Sequence, residues 1–480
     1  MKSVKKNTFF NFLLSFSNIL FPLITMPYIS RILLINDIGV LNKGTSIYTL
    51  FVNLASFGLS GYGAREIARH KNEQDVMQKT FSSVLASHLF TVFIFSLIYF
   101  CYIFFFTTSE QRIVNVLYIL LFVITPLSIE WFYIGREDFG YIALRSFSIK
   151  VLLLILVFTL VHSTEDFIYY AIIFIAAQGV NFLYNIFHAR IFVHFSFKCV
   201  NIWKTFSLSK FFYFQTLVAI CYQNINQLIL GQNEVQLALF VRALSFSTLI
   251  SALITPICNA VKPRLEYVIS NDVERYKSYI NNAFDCIMSI LCPVVLGMVA
   301  LSSNITLIFG GKQFEAGTSV LAVCCLSSFS TQIAVFLNTI ISTPAGFEKN
   351  TFFSNATVAV CSLILNPILI SKFGALGASF ALLCAETFGV IVHLLLVKRR
   401  KLYLDWLDIK KTKYFFSAVL MFFIVVYVKQ FIANIYMQCF IGVCFGVFAY
   451  IFFVLIFSKL FKDSWPYIVK NVLARWRKNI

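Results

Sequence analysis

The feature that most constrains this chain is a succession of apolar runs, each close to the ~20 residues an α-helix needs to cross a bilayer core. They fall near 8–30, 39–61, 81–105, 113–134, 148–162, 167–188, 209–230, 235–260, 279–302, 315–340, 351–371, 374–397, 414–434 and 438–458. Strands of a membrane barrel would alternate apolar and polar residues, whereas these runs are apolar all round. In hydrocarbon, unpaired backbone groups are too costly, so the runs are read as helices. Composition agrees: 59% of residues are hydrophobic and only 12% charged. A soluble domain carries roughly 25% charged residues, and half that leaves too little polar surface to face water. The expected fold class is an all-α polytopic membrane protein with about fourteen transmembrane helices. The amino end, MKSVKKNTFFNFLL, is read as the first retained helix, because its apolar run continues with no small-residue cleavage site.

An even number of spans puts both ends on one side, and the basic residues say which. With the N-terminus in the cytoplasm, about 32 of the 39 Lys and Arg fall in cytoplasmic segments. Only Arg31, Arg112, Lys312 and Lys372 fall in outer loops, while Lys43, Arg242 and Lys429 lie within runs. This asymmetry, with anionic lipid on the inner leaflet, accounts for the net charge of +18 without nucleic acid. Both termini are therefore expected in the cytoplasm.

The chain also repeats. A gapless shift of 199 residues brings Lys43 onto Arg242, Arg65 onto Arg264, and Asn72 and Glu73 onto Asn271 and Asp272. A shift of six helices preserves orientation, so the expected arrangement is two six-helix bundles related by a parallel pseudo-two-fold axis along the membrane normal. The predicted domains are an N-terminal bundle over 1–190, a cytoplasmic linker over 191–208 and a second bundle over 209–397. Two more helices and a basic tail occupy 398–480.

Six segments then carry a resemblance: LITMPYISRIL, FGLSGYGAREIAR, EWFYIGREDFGYIALRS, QNINQLILG, GMVALSSNITLIFGGKQF and NTIISTPAGFEKN. In this order they resemble the bacterial polysaccharide transporter family, the Wzx-type flippases of O-antigen repeat units. Those belong to a superfamily with multidrug exporters and the lipid II flippase. The resemblance spans most of the chain and is best in the first 150 residues. It implies a MATE-like fold in the bacterial inner membrane. It also implies a flippase that moves undecaprenyl-pyrophosphate-linked oligosaccharide from the inner to the outer leaflet by alternating access. The implied partners are that glycolipid, membrane lipid, and the polymerase and chain-length machinery of the same pathway. One departure is Asn226, where many relatives have Asp; a proton-coupling role of that acid would not carry over.

A pyrophosphate head group cannot cross hydrocarbon unaided, so the expected site is a basic cavity between the two bundles. A Lys or Arg within a span costs roughly 2.5–3.5 kcal/mol and calls for a reason. Arg242, Lys43 and Arg31 are the candidate cations, with snorkelling to the outer interface as the alternative. Gln215, Gln223, Asn226 and Gln227 form a polar stripe in the seventh run, suited to lining a sugar path or to joining helices. Gln223 and Gln227 are expected one turn apart on one face. Glu386, Asp285 and Glu130 are the candidate coupling acids; a structural hydrogen bond, a helix-start acid and an interfacial residue are their respective alternatives. Pro22 and Pro27 are expected to bend the first helix.

The twelve cysteines form no C-x-x-C, and the histidines form no i, i+4 pair, so neither metal nor cofactor is expected. FGGK at 309–312 lacks the spacing of a nucleotide-binding loop. A small-cation exporter on the same fold is one alternative function, but it would show intramembrane acids in excess of bases. A membrane glycosyltransferase, polymerase or ligase is another, but it would need a sizeable outer loop.

Overall fold

The computed structural model describes residues 4–196, 200–269, 272–400 and 408–460, and among these there is no strand. Among the described residues, nine helices are long and apolar enough to cross a membrane, or ten if one bent pair forms a single span. The chain folds as two compact units, Met1–Ala238 and Leu239–Ile480.

The first unit holds α1 (Val4–Ile32), α2 (Ile35–Ser56), α3 (Leu59–Arg69), α4 (Gln74–Phe106), α5 (Ser109–Val123) and α6 (Glu130–Gly135). It continues with α7 (Phe139–Leu160), α8 (Phe167–Ala189), α9 (Ile202–Gln223) and α10 (Ile225–Leu230). The start of α11 (Glu234–Val268) belongs to it as well. The second unit takes the rest of α11, then α12 (Val273–Ala300), α13 (Ser302–Gly310), α14 (Thr318–Phe336), α15 (Glu348–Arg399), α16 (Thr412–Val428) and α17 (Ile435–Leu460).

α4 shows how the apolar surface divides. Phe93, Leu97, Phe100 and Phe104 recur at helical spacing and are 58–65% exposed, while Val92, Tyr99 and Ile103 are buried. A water-soluble helix does not present such a stripe to solvent, so this face belongs to lipid. On the buried face, Tyr99 stacks on Phe51 of α2, with ring centroids 4.4 Å apart. At one end of the unit the FGLSGYGAREIAR and EWFYIGREDFGYIALRS segments pack together. A Cβ on Gly63 would come 2.5 Å from the Trp131 ring, and one on Gly135 would come 2.7 Å from the Ala64 carbonyl. Only hydrogen fits at either place.

The helices differ from the sequence reading in several places. The fifth run looked short, beginning at 148, but α7 begins at Phe139. Lys150, counted above with the cytoplasmic basic residues although it falls inside that run, lies near the middle of a 22-residue span. The fourth run is bent by 55° between α5 and α6, where Pro126 sits in a 3₁₀ turn that cannot continue the helix. The seventh run is interrupted at Asn224, so that Gln223 ends α9 and Gln227 lies on α10. The eleventh and twelfth runs join end to end as α15, interrupted at Gly374 (φ 55°, ψ −130°). α12 starts at Val273, so Asp285 lies nearly half-way along it rather than close to its start. Asn271 and the basic tail beyond 460 lie outside the described residues.

Candidate functional site

The first unit carries three charged side chains at depth, each with different company. Lys150 on α7 reaches α1, where Nζ donates to Ser17 Oγ at 3.4 Å and to Asn18 Oδ1. Neither partner is charged, so no ion pair offsets the ammonium in the middle of the span. Arg145, about a turn and a half earlier on α7, has a side chain only 2% exposed. It donates to Asn185 Oδ1 and lies 3.5 Å from Glu130 Oε1. Asn185 in turn donates to the Ser128 carbonyl. The Arg145–Asn185 pair therefore satisfies backbone freed by the break between α5 and α6 and ties that break to α7 and α8. Glu130 is the exposed partner of this network at the start of α6, not a buried acid within the fourth span.

Lys43 on α2 meets Glu234 at the start of α11, with Nζ 3.5 Å from Oε1 and both side chains about one-fifth exposed. Gln111 of α5 donates to the same Oε1. One turn further along α2, Ser46 donates to Gln227 Oε1 at 2.6 Å. Two predicted residues, Lys43 and Gln227, are thus brought to one polar cluster. Lys43 carries a carboxylate partner there, which the sequence reading did not foresee. Glu234 sits one residue ahead of the eighth run, and nothing local signals a partner 191 residues away.

The remaining candidates of this unit scatter. Gln223 is exposed and bonds the Tyr222 hydroxyl at 3.2 Å. Asn226 is buried on α10. Arg31 is exposed, with a guanidinium nitrogen 3.2 Å from the Pro27 carbonyl on its own helix. The side chain of Gln215 lies outside the described part.

In the second unit Arg242 sits on α11 with its guanidinium 5.0 Å from the centre of the Phe314 ring. A small pocket beside it is lined by Leu239, Phe246, Thr306 and Phe314. Asp285 of α12 pairs with Lys411 and accepts a hydrogen bond from the Tyr414 hydroxyl at 3.2 Å. That clamp holds α16 against α12. Glu386, in the second half of α15, has the Thr331 hydroxyl of α14 as its hydrogen-bond partner and no ion pair among the described residues. Lys429 donates to the Ala300 carbonyl at 2.8 Å and closes the C-terminal end of α12.

No group of three His, Cys, Asp or Glu among the described residues is placed to hold a metal ion. What the arrangement offers is cations and acids at membrane depth, each with identified neighbours. Arg145 was missed because the fifth run was started too late, and Lys150 because it was counted with the cytoplasmic basic residues. Extending that run to the usual span length would have brought Arg145 in.

Comparison with known proteins places this architecture. The family model described as "Polysaccharide biosynthesis protein" matches residues 4–268, more than half of the chain. A protein of Shigella dysenteriae named as an O-antigen transporter is 24% identical over 412 residues, 82% of this chain and all of that one. A like-named protein of Escherichia coli K12 is 21% identical over 419 residues, 83% of this chain and 98% of that one. A low-salt glycan biosynthesis flippase of Haloferax volcanii is 22% identical over 55% of each chain. Among solved structures, a lipid II flippase superposes with a TM-score of 0.76 at 16% identity, over 95% of this chain and 99% of that one. An inward-facing multidrug transporter of the MOP superfamily reaches 0.59 at 13% identity, over 82% and 94%. At such identities these two likenesses establish the fold. The chain is thus a multi-pass membrane protein of the polysaccharide biosynthesis protein family, and its named relatives are transporters and flippases, not enzymes.

Proposed function

We propose that the protein is a flippase carrying undecaprenyl-pyrophosphate-linked oligosaccharide, an O-antigen repeat unit, across the bacterial inner membrane by alternating access. The observation that carries the reading is Lys150: a mid-span ammonium held by a hydroxyl and an amide leaves a positive charge for a phosphate to meet. The relatives named as O-antigen transporters, matched along nearly their whole length, favour this substrate class. Arg242, Lys43 and Arg31 are the further cations assigned to the head group. Gln215, Gln223, Asn226 and Gln227 are the neutral groups assigned to its sugars.

On this reading the chain has fourteen spans and cytoplasmic termini, with 1–190 and 209–397 forming bundles of six and the last two helices standing apart. Element boundaries support the repeat. A shift of 199 carries Ile35 onto Glu234 and Gln74 onto Val273, the first residues of α2 and α11 and of α4 and α12. α2 falls short of the nine apolar spans because Asn36, Asp37, Asn42, Lys43 and Asn53 interrupt it, as befits a helix that lines a polar path. Ion coupling is assigned first to Glu386, whose partner is a hydroxyl, ahead of Asp285 and Glu130, which lie against Lys411 and Arg145. Polymerase and chain-length proteins are the expected neighbours in the membrane.

The test is complementation of a strain lacking its own flippase. Lys150→Ala should abolish surface polysaccharide at unchanged protein abundance, and Lys150→Arg should restore part of it. Normal polymer from the Ala variant would overturn the assignment.

A further inference from the structure

At one end of the first unit, the N-terminal turns of α2, α5 and α11 surround an open cleft of about 420 Å3, lined by Asn36, Thr108, Ser109, Glu110, Gln111 and Glu234. Small-molecule sites span roughly 300–1,000 Å3, so the cleft can hold one or two sugar rings.

Its polar groups are left over from folding. Asn36, Ser109 and Glu110 make no side-chain hydrogen bond or ion pair among the described residues. Thr108 is the N-cap of α5, yet its side chain makes no capping bond. Glu234 receives both Gln111 and Lys43 on Oε1, which leaves Oε2 without a partner among the described residues. Asp37 lies close enough to feel the charge of Glu110.

Acids in first helical turns are ordinarily explained by the helix dipole, and Glu110 and Glu234 occupy such positions. That explanation does not reach Asn36, Thr108 and Ser109, whose amide and hydroxyls stand unused around an open volume. Carboxylates, an amide and hydroxyls converging without bound partners are the groups that read sugar hydroxyls. The lining carries Glu110 and Glu234 but no Lys or Arg, and Lys43, which approaches Glu234, is already paired with it, so the lining of the cleft is acidic.

We propose that this cleft is a saccharide-binding site that accepts neutral or amine-bearing sugars and rejects uronic acids. Its role rests on the flippase reading: the positive-inside assignment puts these helix ends on the outer face, where a translocated glycan emerges. Binding itself does not depend on that reading and can be measured alone.

The experiment uses the full chain in lipid nanodiscs, with N,N′-diacetylchitobiose, glucosamine and glucuronic acid as probes and saturation-transfer NMR as the readout. Saturable binding of the first two is expected, with glucuronic acid much weaker. Asn36→Ala and Glu110→Gln should each weaken binding about tenfold, the scale of one lost hydrogen bond to a charged or buried partner. Glu110→Gln should also narrow the gap between glucosamine and glucuronic acid, at an unchanged unfolding temperature. The proposal fails if neither chitobiose nor glucosamine binds, or if the double variant binds as the parent does. It fails equally if glucuronic acid matches glucosamine, or if Glu110→Gln lowers the unfolding temperature without touching binding, which is the helix-dipole result. The Lys150 series reads polymer export and bears on the flippase assignment alone.

Discussion

Lys150 in the first unit and Lys411 in the second are both lysines drawn in toward apolar helices, and they are stabilised in opposite ways. Lys411 meets the Asp285 carboxylate with Tyr414 alongside, and the charge is cancelled where it stands. Lys150 meets Ser17 and Asn18, and its charge remains. The acids show the converse: Asp285 is spoken for, whereas Glu386 has only a hydroxyl. A compensated pair is a fastener, because separating it strands two charges in low dielectric. An uncompensated charge at depth is a standing cost, and it makes sense when something else arrives to offset it.

The comparison can be broken in order of effect. The largest belongs to Lys150→Ala, which should remove surface polymer entirely. Lys150→Met, which keeps the stem but not the charge, should do the same; export by the Met variant would reduce Lys150 to a packing residue. Next comes Glu386→Gln. In proteoliposomes under an imposed pH gradient, its flipping rate should fall and cease to respond to the gradient. An intact gradient response would remove Glu386 from coupling. Smaller is the fastener itself. Asp285→Asn should lower stability by about 1–3 kcal/mol, below the fully buried figure because both side chains keep some exposure. Adding Lys411→Met should recover much of that in thermal unfolding, with transport retained; failure to recover would show that the pair does more than hold α16 to α12. The smallest contrast lies between two glutamines. Gln227→Ala should cost about 1 kcal/mol through its lost bond to Ser46, while the exposed Gln223→Ala should be nearly silent.

Much of the fold was legible because lipid permits so little. Runs of twenty apolar residues have one cheap conformation, and their number and spacing follow from composition alone. Breaks were harder. The turn at Pro126 and the gap at Asn224 fall inside apolar stretches whose hydropathy hides them, and the gap puts Gln223 and Gln227 in separate helical segments. The start of α7 was misplaced because Arg145 looked like a loop residue, and Lys150, just inside the run, was counted with the loop, when Asn185, Ser17 and Asn18 on neighbouring helices make room for both in the span.

The sequence by itself determined the helical membrane architecture, the residues able to carry charge into it and the family to which the chain belongs, since each follows from local hydropathy or from ordered segments. Only the tertiary structure decided which charges are spent. Whether a lysine at depth is neutralised by Glu234 or Asp285, or left beside an amide, depends on side chains tens to hundreds of residues away, and at a few ångströms that choice outweighs anything the local sequence encodes.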